Sequence, residues 1–543
     1  MLAGQSLNKK NHSETQMNFW KKSLFYQTLF ILILCLYACT PKSPGGPTIQ
    51  RLRIRLASEV PSIDHTLTGD ATSRDIITTL HEGLLRLDEK NKAVNGLAES
   101  WTTSRDQKKY TYKLRPHLKW SDGKNLIAQD FVDALERALK PENAAVTANF
   151  LFPIQNAAAF FEGKLKDFTK VGVKALNDKI LEITLSAPFP HWNDITTFNI
   201  MMPIRKDLIA RFGHKWTDAT HYVSAGPYIL KEWTKQGKIV AAINPLYWNQ
   251  EELKGAFQEI EFRVVQEGNS AVTLFQNGAF DILQRVPFQL IPELAKTESG
   301  FKNLPTLFTV GMSLNTQHPL TKDSRLRKAI ALAIDHSLLQ KFLASDSTPS
   351  STWVPEELLT FPQNKKTTYN PELAKKIWAK IKNPPSKMDY LFPSTPKAKI
   401  IAEFIQQQLK QNLRLEIELI PQEWKVFIKS QKTGEYPLFQ QGWVADYPDA
   451  LNFLDVFKCK SGQNYSQMCN PLYDSLLEQS LHVEGALQTQ KLQKAQEILL
   501  SQEVATIPLT LENSTYLVNP RIQGFAVNGT FSYRISKLRL SSE

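Results

Sequence analysis

Cysteine is scarce, with four in 543 residues. Cys35 and Cys39 lie near the N-terminus, and Cys459 and Cys469 lie in a polar stretch near the other end. No histidine or third cysteine is close to the second pair in sequence. That argues against a metal site there and leaves a disulfide or two free thiols. Long apolar runs are missing too. A membrane-spanning helix needs about 20 apolar residues, and the run at residues 24–37 falls short of that. Positive charge is in excess but nowhere concentrated. The net charge is +12, yet no Lys-rich or Arg-rich tract occurs. Nucleic-acid binding would call for a basic stripe or a recognised motif, so the excess reads as a solvated surface and no nucleic-acid partner is expected. There is no His-Glu-x-x-His, no Gly-x-Ser-x-Gly and no phosphate loop. The ten histidines are scattered, and no Ser/His/Asp set can be proposed from spacing. The chain is therefore not read as an enzyme, a secreted hydrolase being the remote alternative, and no cofactor or metal is called for. Internal repeats are absent.

What is present is the composition of a globular protein, 42% hydrophobic and 22% charged. A chain of 543 residues is too long for one ordinary core, so two or more lobes are expected. The 11 Trp, 29 Phe and 15 Tyr point to aromatic-lined interiors or a sizeable pocket. Leu52, Ile54 and Leu56 alternate with Arg51, Arg53 and Arg55, predicting a first strand. Residues 110–114, 180–185, 238–244 and 260–264 also read as strands. Phe131, Leu135, Ala138 and Leu139 mark one amphipathic helix. Leu326, Ile330, Ala333 and Ile334 mark another, with Asp323 as N-cap. Asn470 and Pro471 have the cap-then-proline order of a helix start.

Regular alternation begins only after about residue 388. Strands are expected at 388–394, 413–420 and 436–441, with helices at 396–412 and 422–432 between them. That pattern implies a parallel sheet, and in such sheets ligands sit outside the carboxyl ends of the strands. Gly442-Trp443-Val444-Ala445-Asp446-Tyr447 follows the third strand. An acidic side chain there, flanked by Trp443 and Tyr447, suits a ligand with a positive end and an apolar body. Taken alone, Asp446 reads as a helix or turn cap and Trp443 as core.

The N-terminus reads as a targeting segment. Trp20, Lys21 and Lys22 precede the apolar run, which ends in Leu36-Tyr37-Ala38-Cys39. This resembles the lipobox of bacterial lipoproteins, with cleavage before a Cys39 that carries lipid. Residues 1–38 would then be the signal peptide, with Met17 as an alternative start, and residues 39–48, rich in Pro, Gly and Ser, a flexible tether. An exported protein meets an oxidising compartment, which favours a disulfide between Cys459 and Cys469.

A set of short motifs runs from about Leu52 to the C-terminus. It includes Ser58-Glu59-Val60-Pro61, His81-Glu82-Gly83-Leu84-Leu85, Gly96-Leu97-Ala98-Glu99-Ser100-Trp101, Trp120-Ser121-Asp122-Gly123, Ser224-Ala225-Gly226-Pro227-Tyr228 and Asp323-Ser324-Arg325-Leu326-Arg327. In order and spacing these resemble the family 5 extracellular solute-binding proteins of ABC importers, oligopeptide-binding type. The resemblance implies an α/β periplasmic-binding-protein fold of two hinged lobes. Lobe I would take residues 49–80, 204–308 and 513–543, with an extra domain at 81–203, and lobe II would take 309–512. The hinge would lie near Phe308 and Glu512. The implied protein is a monomer on the periplasmic side of the cell envelope, held to the membrane by its lipid, and its partners are a peptide ligand and the permease subunits of the transporter. The resemblance also gives Asp446 the peptide's amino terminus and Gly442 and Val444 main-chain contacts. It makes Trp443 and Tyr447 part of the pocket and places a strand around Gly69 to Ala71 opposite them.

The chain departs from that pattern in two ways. Val444 and Phe308 stand where similar proteins have a disulfide. Ala398, Gln431 and Gln440 stand where those proteins hold the peptide's carboxyl end with basic residues. A member of the same family that binds a nickel chelate, haem or an oligosaccharide is the alternative. Asp446 counts against it, since none of those ligands presents a primary amine.

Overall fold

The computed structural model describes residues 50–235, 237–343, 347–358, 369–483, 485–530 and 533–541. The expected signal segment, Cys39 and the expected tether lie outside the described residues. Among the described residues no helix is long and apolar enough to cross a membrane.

One mixed sheet of 11 strands organises most of the chain. Its order begins with Glu416–Gln422, Lys387–Pro393, Leu438–Val444, Phe301–Leu314 and Thr506–Val518. It continues through Ile282–Gln284, Arg51–Leu56, Glu259–Val264, Lys238–Ile243 and Tyr228–Trp233, and the eleventh strand, Ser347–Pro349, pairs with Thr506–Val518 off this path. The run of alternating strands and helices is parallel, as expected: Lys387–Pro393 pairs in parallel with both Glu416–Gln422 and Leu438–Val444. The helix between the first two, Pro396–Leu413, starts at Thr395, whose side chain accepts from the Ala398 amide, and has proline in its first turn. It buries Ile401, Ala402, Phe404, Ile405 and Leu409, a helical stripe, and each Ile, Leu or Phe side chain contributes roughly 1.5–3 kcal/mol when fully buried. Arg414 ends it with φ 56°, so residue 413 belongs to the helix and the strand expected from there starts at Glu416.

The third strand is displaced in the same way. It runs Leu438–Val444 rather than 436–441 because Phe308–Leu314 pairs antiparallel with it along its whole length. Gly442, Trp443 and Val444 therefore lie in the strand, and Asp446 is the second residue beyond it.

Phe301–Leu314 and Thr506–Val518 are the longest strands, and they join the two halves of the sheet. Near one end they lie beside Ile282–Gln284, and near the other beside Leu438–Val444. Their pairing breaks register between Pro305 and Thr309, where the Thr306 hydroxyl donates to the Glu512 carbonyl at 2.6 Å.

The strand Arg51–Leu56 shows why the alternation was legible. Leu52, Ile54 and Leu56 are buried. Arg51 pairs with Glu259 and Glu261, and Arg53 with Asp281. Arg55 is buried too, and donates to the carbonyls of Val265 and Gln284 at 2.8 and 3.0 Å.

A separate four-stranded antiparallel sheet, Ala98–Thr103, Lys109–Leu114, Ile180–Thr184 and Val173–Asn177, has a core that includes buried residues of the helix Ala128–Leu139. That core is built from residues between Leu84 and Met201, with Ala225 and Tyr447 added from outside. Asp323 and Asn470 cap the helices Ser324–Leu332 and Pro471–Ser480. Cys459 and Cys469 are disulfide-bonded, with Cα atoms 4.5 Å apart.

One expected element is corrected. Gly69 to Ala71 is not a strand, because Ala71 opens the helix Ala71–Leu80. The Asp70 carboxylate accepts from the Ser73 amide at 2.9 Å, which is the N-cap contact that starts a helix.

Candidate ligand-binding site

The helix Ala71–Leu80, the end of the strand Leu438–Val444 and the C-terminal segment around Asn528 and Thr530 all face one cavity. It measures about 1530 Å³ with its open mouth included. Charged groups in its wall include Arg74, Glu82, Arg86, Asp446 and Arg534, and apolar ones include Leu85, Phe150, Phe198 and Ile200.

Most of these charges are already matched. Glu82 meets Arg534 at 3.0 Å and Arg86 at 3.3 Å. Its other oxygen accepts from the Tyr247 hydroxyl at 2.7 Å and from Trp248 Nε1 at 2.6 Å. Glu252 accepts from Arg534 and Ser536. A buried acid with this many donors needs no further partner, so this network serves as a fixed wall.

Asp446 differs. Among the described residues its carboxylate has one hydrogen-bond partner, the Asn452 amide, at 3.4 Å. The same Asn452 accepts from the Asp446 backbone amide at 3.0 Å and from Trp443 Nε1 at 2.9 Å, which fixes the turn. Burial is the largest influence on the carboxyl and lifts it to about 6; the Asn452 hydrogen bond and the Arg74 guanidinium pull the other way. Asp446 does not cap the next helix. Asp449 does, accepting from the Leu451 amide at 2.7 Å. The Asp446 carboxylate is thus desolvated, weakly partnered and beside a cavity, as a cation receptor would be.

The other expected residues divide. Val444, Ala445 and Asp446 line the cavity together. Gly442 faces the Phe308 ring, and a Cβ there would meet Phe308 Cε2 at 2.8 Å. Trp443 packs at the edge of a core with Trp353 and Phe453. Tyr447 is buried in the core beneath the four-stranded sheet, its ring stacked on His191 at 5.2 Å. His191 Nε2 also lies 3.5 Å from Asp449. The turn therefore grips the 81–203 segment from behind while presenting Asp446 to the cavity. Ala71 does not line the cavity, but Thr68, Gly69 and Arg74 around it do.

Val444 and Phe308 are cross-strand neighbours. Ala398 is buried in a core, and Gln431 Nε2 donates to the Gln440 carbonyl at 2.7 Å; neither those residues nor Gln440 reaches the cavity. Sequence reasoning missed Arg74, because an arginine one turn into a helix ordinarily reads as a solvated face. Among the described residues no cluster of three or more His, Cys, Asp or Glu could hold a metal ion.

Residues 92–465 match the bacterial extracellular solute-binding proteins, family 5, middle region, and the chain belongs to that family, whose members serve as the solute-binding components of ABC importers. It is 30% identical over 504 residues to the periplasmic oligopeptide-binding protein OppA of Escherichia coli, covering 89% of this chain and 91% of that one. It is 28% identical over 513 residues to the probable deoxycholate-binding periplasmic protein YgiS of the same organism, covering 92% and 94%. Among solved structures, Haemophilus influenzae OppA in complex with RPPGFSPFR superposes with a TM-score of 0.74 at 26% identity, covering 91% of this chain and 99% of that one. The Escherichia coli murein tripeptide binding protein MppA gives 0.76 at 26% identity, covering 91% and 99%. These matches bear out the periplasmic-binding-protein fold.

Proposed function

We propose that this protein captures peptides for an ABC importer and binds the free amino terminus through Asp446. The observation that carries the reading is the weakly partnered, mostly desolvated carboxylate at the cavity wall. An ammonium brought to it supplies the missing counter-charge, and a charged hydrogen bond of this kind is worth roughly 1.5–3 kcal/mol net. A peptide backbone can be recognised by main-chain groups without regard to side chains, and the main chain at Val444, in the cavity wall beside Asp446, offers such groups. The printed descriptions of OppA and MppA agree with a peptide ligand.

In this reading residues 49–80, 204–308 and 513–543 form lobe I, 81–203 its extra domain and 309–512 lobe II. The break in register between Pro305 and Thr309 is the hinge. Ligand that touches both lobes favours the closed state by its differential affinity, and the closed monomer delivers the peptide to a membrane permease. Cys39 anchors the chain by lipid; labelled palmitate should enter the wild type and not Cys39→Ala, and equal labelling would reject the anchor.

An anionic amphipath of the deoxycholate kind is the second reading. Arg74 and the apolar wall favour it, and Asp446 opposes it. Mass spectrometry of ligand co-purified with the protein separates the two. Peptides support the first, and a bile-acid-like anion would overturn it.

A further inference from the structure

Among the described residues, Arg74 and Asp446 in the cavity wall have no opposite charge within ion-pair distance, and Asp88, a further unpaired acid there, is held by the backbone amides of Lys90 and Lys92. Arg86 and Arg534 both have acid partners, Glu82 and Glu252. Arg74 has none within 4.0 Å among the described residues. Its terminal nitrogen donates to the Thr530 carbonyl at 3.2 Å, and its Nε is buried with no hydrogen-bond partner among the described residues. Among the described residues Asp446 likewise has no cation within that distance. Yet the two sense one another, since the guanidinium stabilises the Asp446 carboxylate. They line one cavity, too far apart to pair and near enough for one small molecule to touch both.

An orphaned buried donor is costly, and a guanidinium fork matches a carboxylate with two parallel hydrogen bonds. We infer that Arg74 is a specificity-determining residue that receives a ligand carboxylate held close to the ligand's own amino group. A neutral peptide would satisfy Asp446 and leave Arg74 unmatched. A peptide with an acidic side chain at its start satisfies both, and so does a dipeptide through its terminal carboxylate. The inference rests on the assignment of the amino terminus to Asp446 and adds the second half of the recognition.

Calorimetry on the intact mature protein tests it with four probes: Glu-Ala-Ala against Gln-Ala-Ala, and Ala-Ala against Ala-Ala-amide. The wild type should prefer the carboxylate-bearing partner of at least one pair by about ten- to hundredfold, and the pair that responds identifies the source of the carboxylate. Arg74→Gln should erase that preference, read as the ratio of affinities within each pair. Arg74→Lys, which keeps the charge and loses the fork, should retain part of it and serves if the glutamine variant does not fold. General loosening of the Thr530 contact would weaken both members of a pair alike and leave their ratio unchanged. Equal wild-type affinities within both pairs, or a preference that survives Arg74→Gln, would overturn the inference and leave the peptide reading standing. Failure of all four peptides to bind would overturn both.

Discussion

Acidification should weaken binding through one group. The Asp446 carboxyl sits at about 6 in the free protein because burial outweighs its hydrogen bond to Asn452 and the field of Arg74. A bound ammonium needs the carboxylate, so the carboxyl falls in the complex. The sign follows: affinity is full above about 6 and is lost as the pH drops through it. One unit below that point the free carboxyl is about nine-tenths protonated, which costs about 1.4 kcal/mol, or about tenfold in affinity. His191 titrates nearby, raised by Asp194 and Asp449 against its burial. Its protonation strengthens the contact behind the turn, so it contributes no loss of affinity on the acid side. The assay is isothermal calorimetry with a co-purified peptide from about pH 7.5 down to about pH 5. Wild type should lose about tenfold, and Asp446→Asn should show a flat profile. A flat wild-type profile, or the same slope in the variant, would refute the reasoning.

Three further outcomes are expected. Gly442→Ala should cost about 1–3 kcal/mol by overpacking against Phe308, and Phe308→Leu should recover part of it; urea denaturation measures both, and an unchanged midpoint for the single variant contradicts the close approach. Reducing the Cys459–Cys469 bridge should lower stability by about 3 kcal/mol or less, since it closes a short loop; free thiols at both positions in protein isolated from the envelope would contradict it. Small-angle scattering should show a smaller radius of gyration with peptide bound, and no change with binding confirmed separately would count against lobe closure.

Much of this was legible where local signals and packing agree. Asp323 and Asn470 cap helices because short polar side chains before apolar runs satisfy the first free amides. The alternating Arg51–Leu56 pattern survives because one face meets a core and the other meets carboxylates. Legibility failed where distant partners decide. The strand before Asp446 extends to Val444 because Phe308–Leu314, more than a hundred positions away, supplies its hydrogen bonds. Tyr447 reads as a pocket residue until the 81–203 segment closes over it with His191. Asp70 carries a readable cap signal, yet the family resemblance directed attention to a strand at Ala71. Arg74 gains meaning only when the fold sets it, without an acid partner, in the same cavity as Asp446.

The central claim is that Asp446 holds a peptide's amino terminus, and one comparison tests it most directly. Calorimetry at pH 7.5 should be run on wild type and Asp446→Asn, each with a co-purified peptide and with its amino-acetylated form. Asparagine keeps the shape and removes the counter-ion, and breaking a buried pair in this way costs roughly 3–5 kcal/mol, some hundred- to thousandfold in affinity. Acetylation should cost the wild type a similar factor and the variant little. If the variant binds the free peptide as tightly as wild type, or if acetylation makes no difference to the wild type, the claim is wrong.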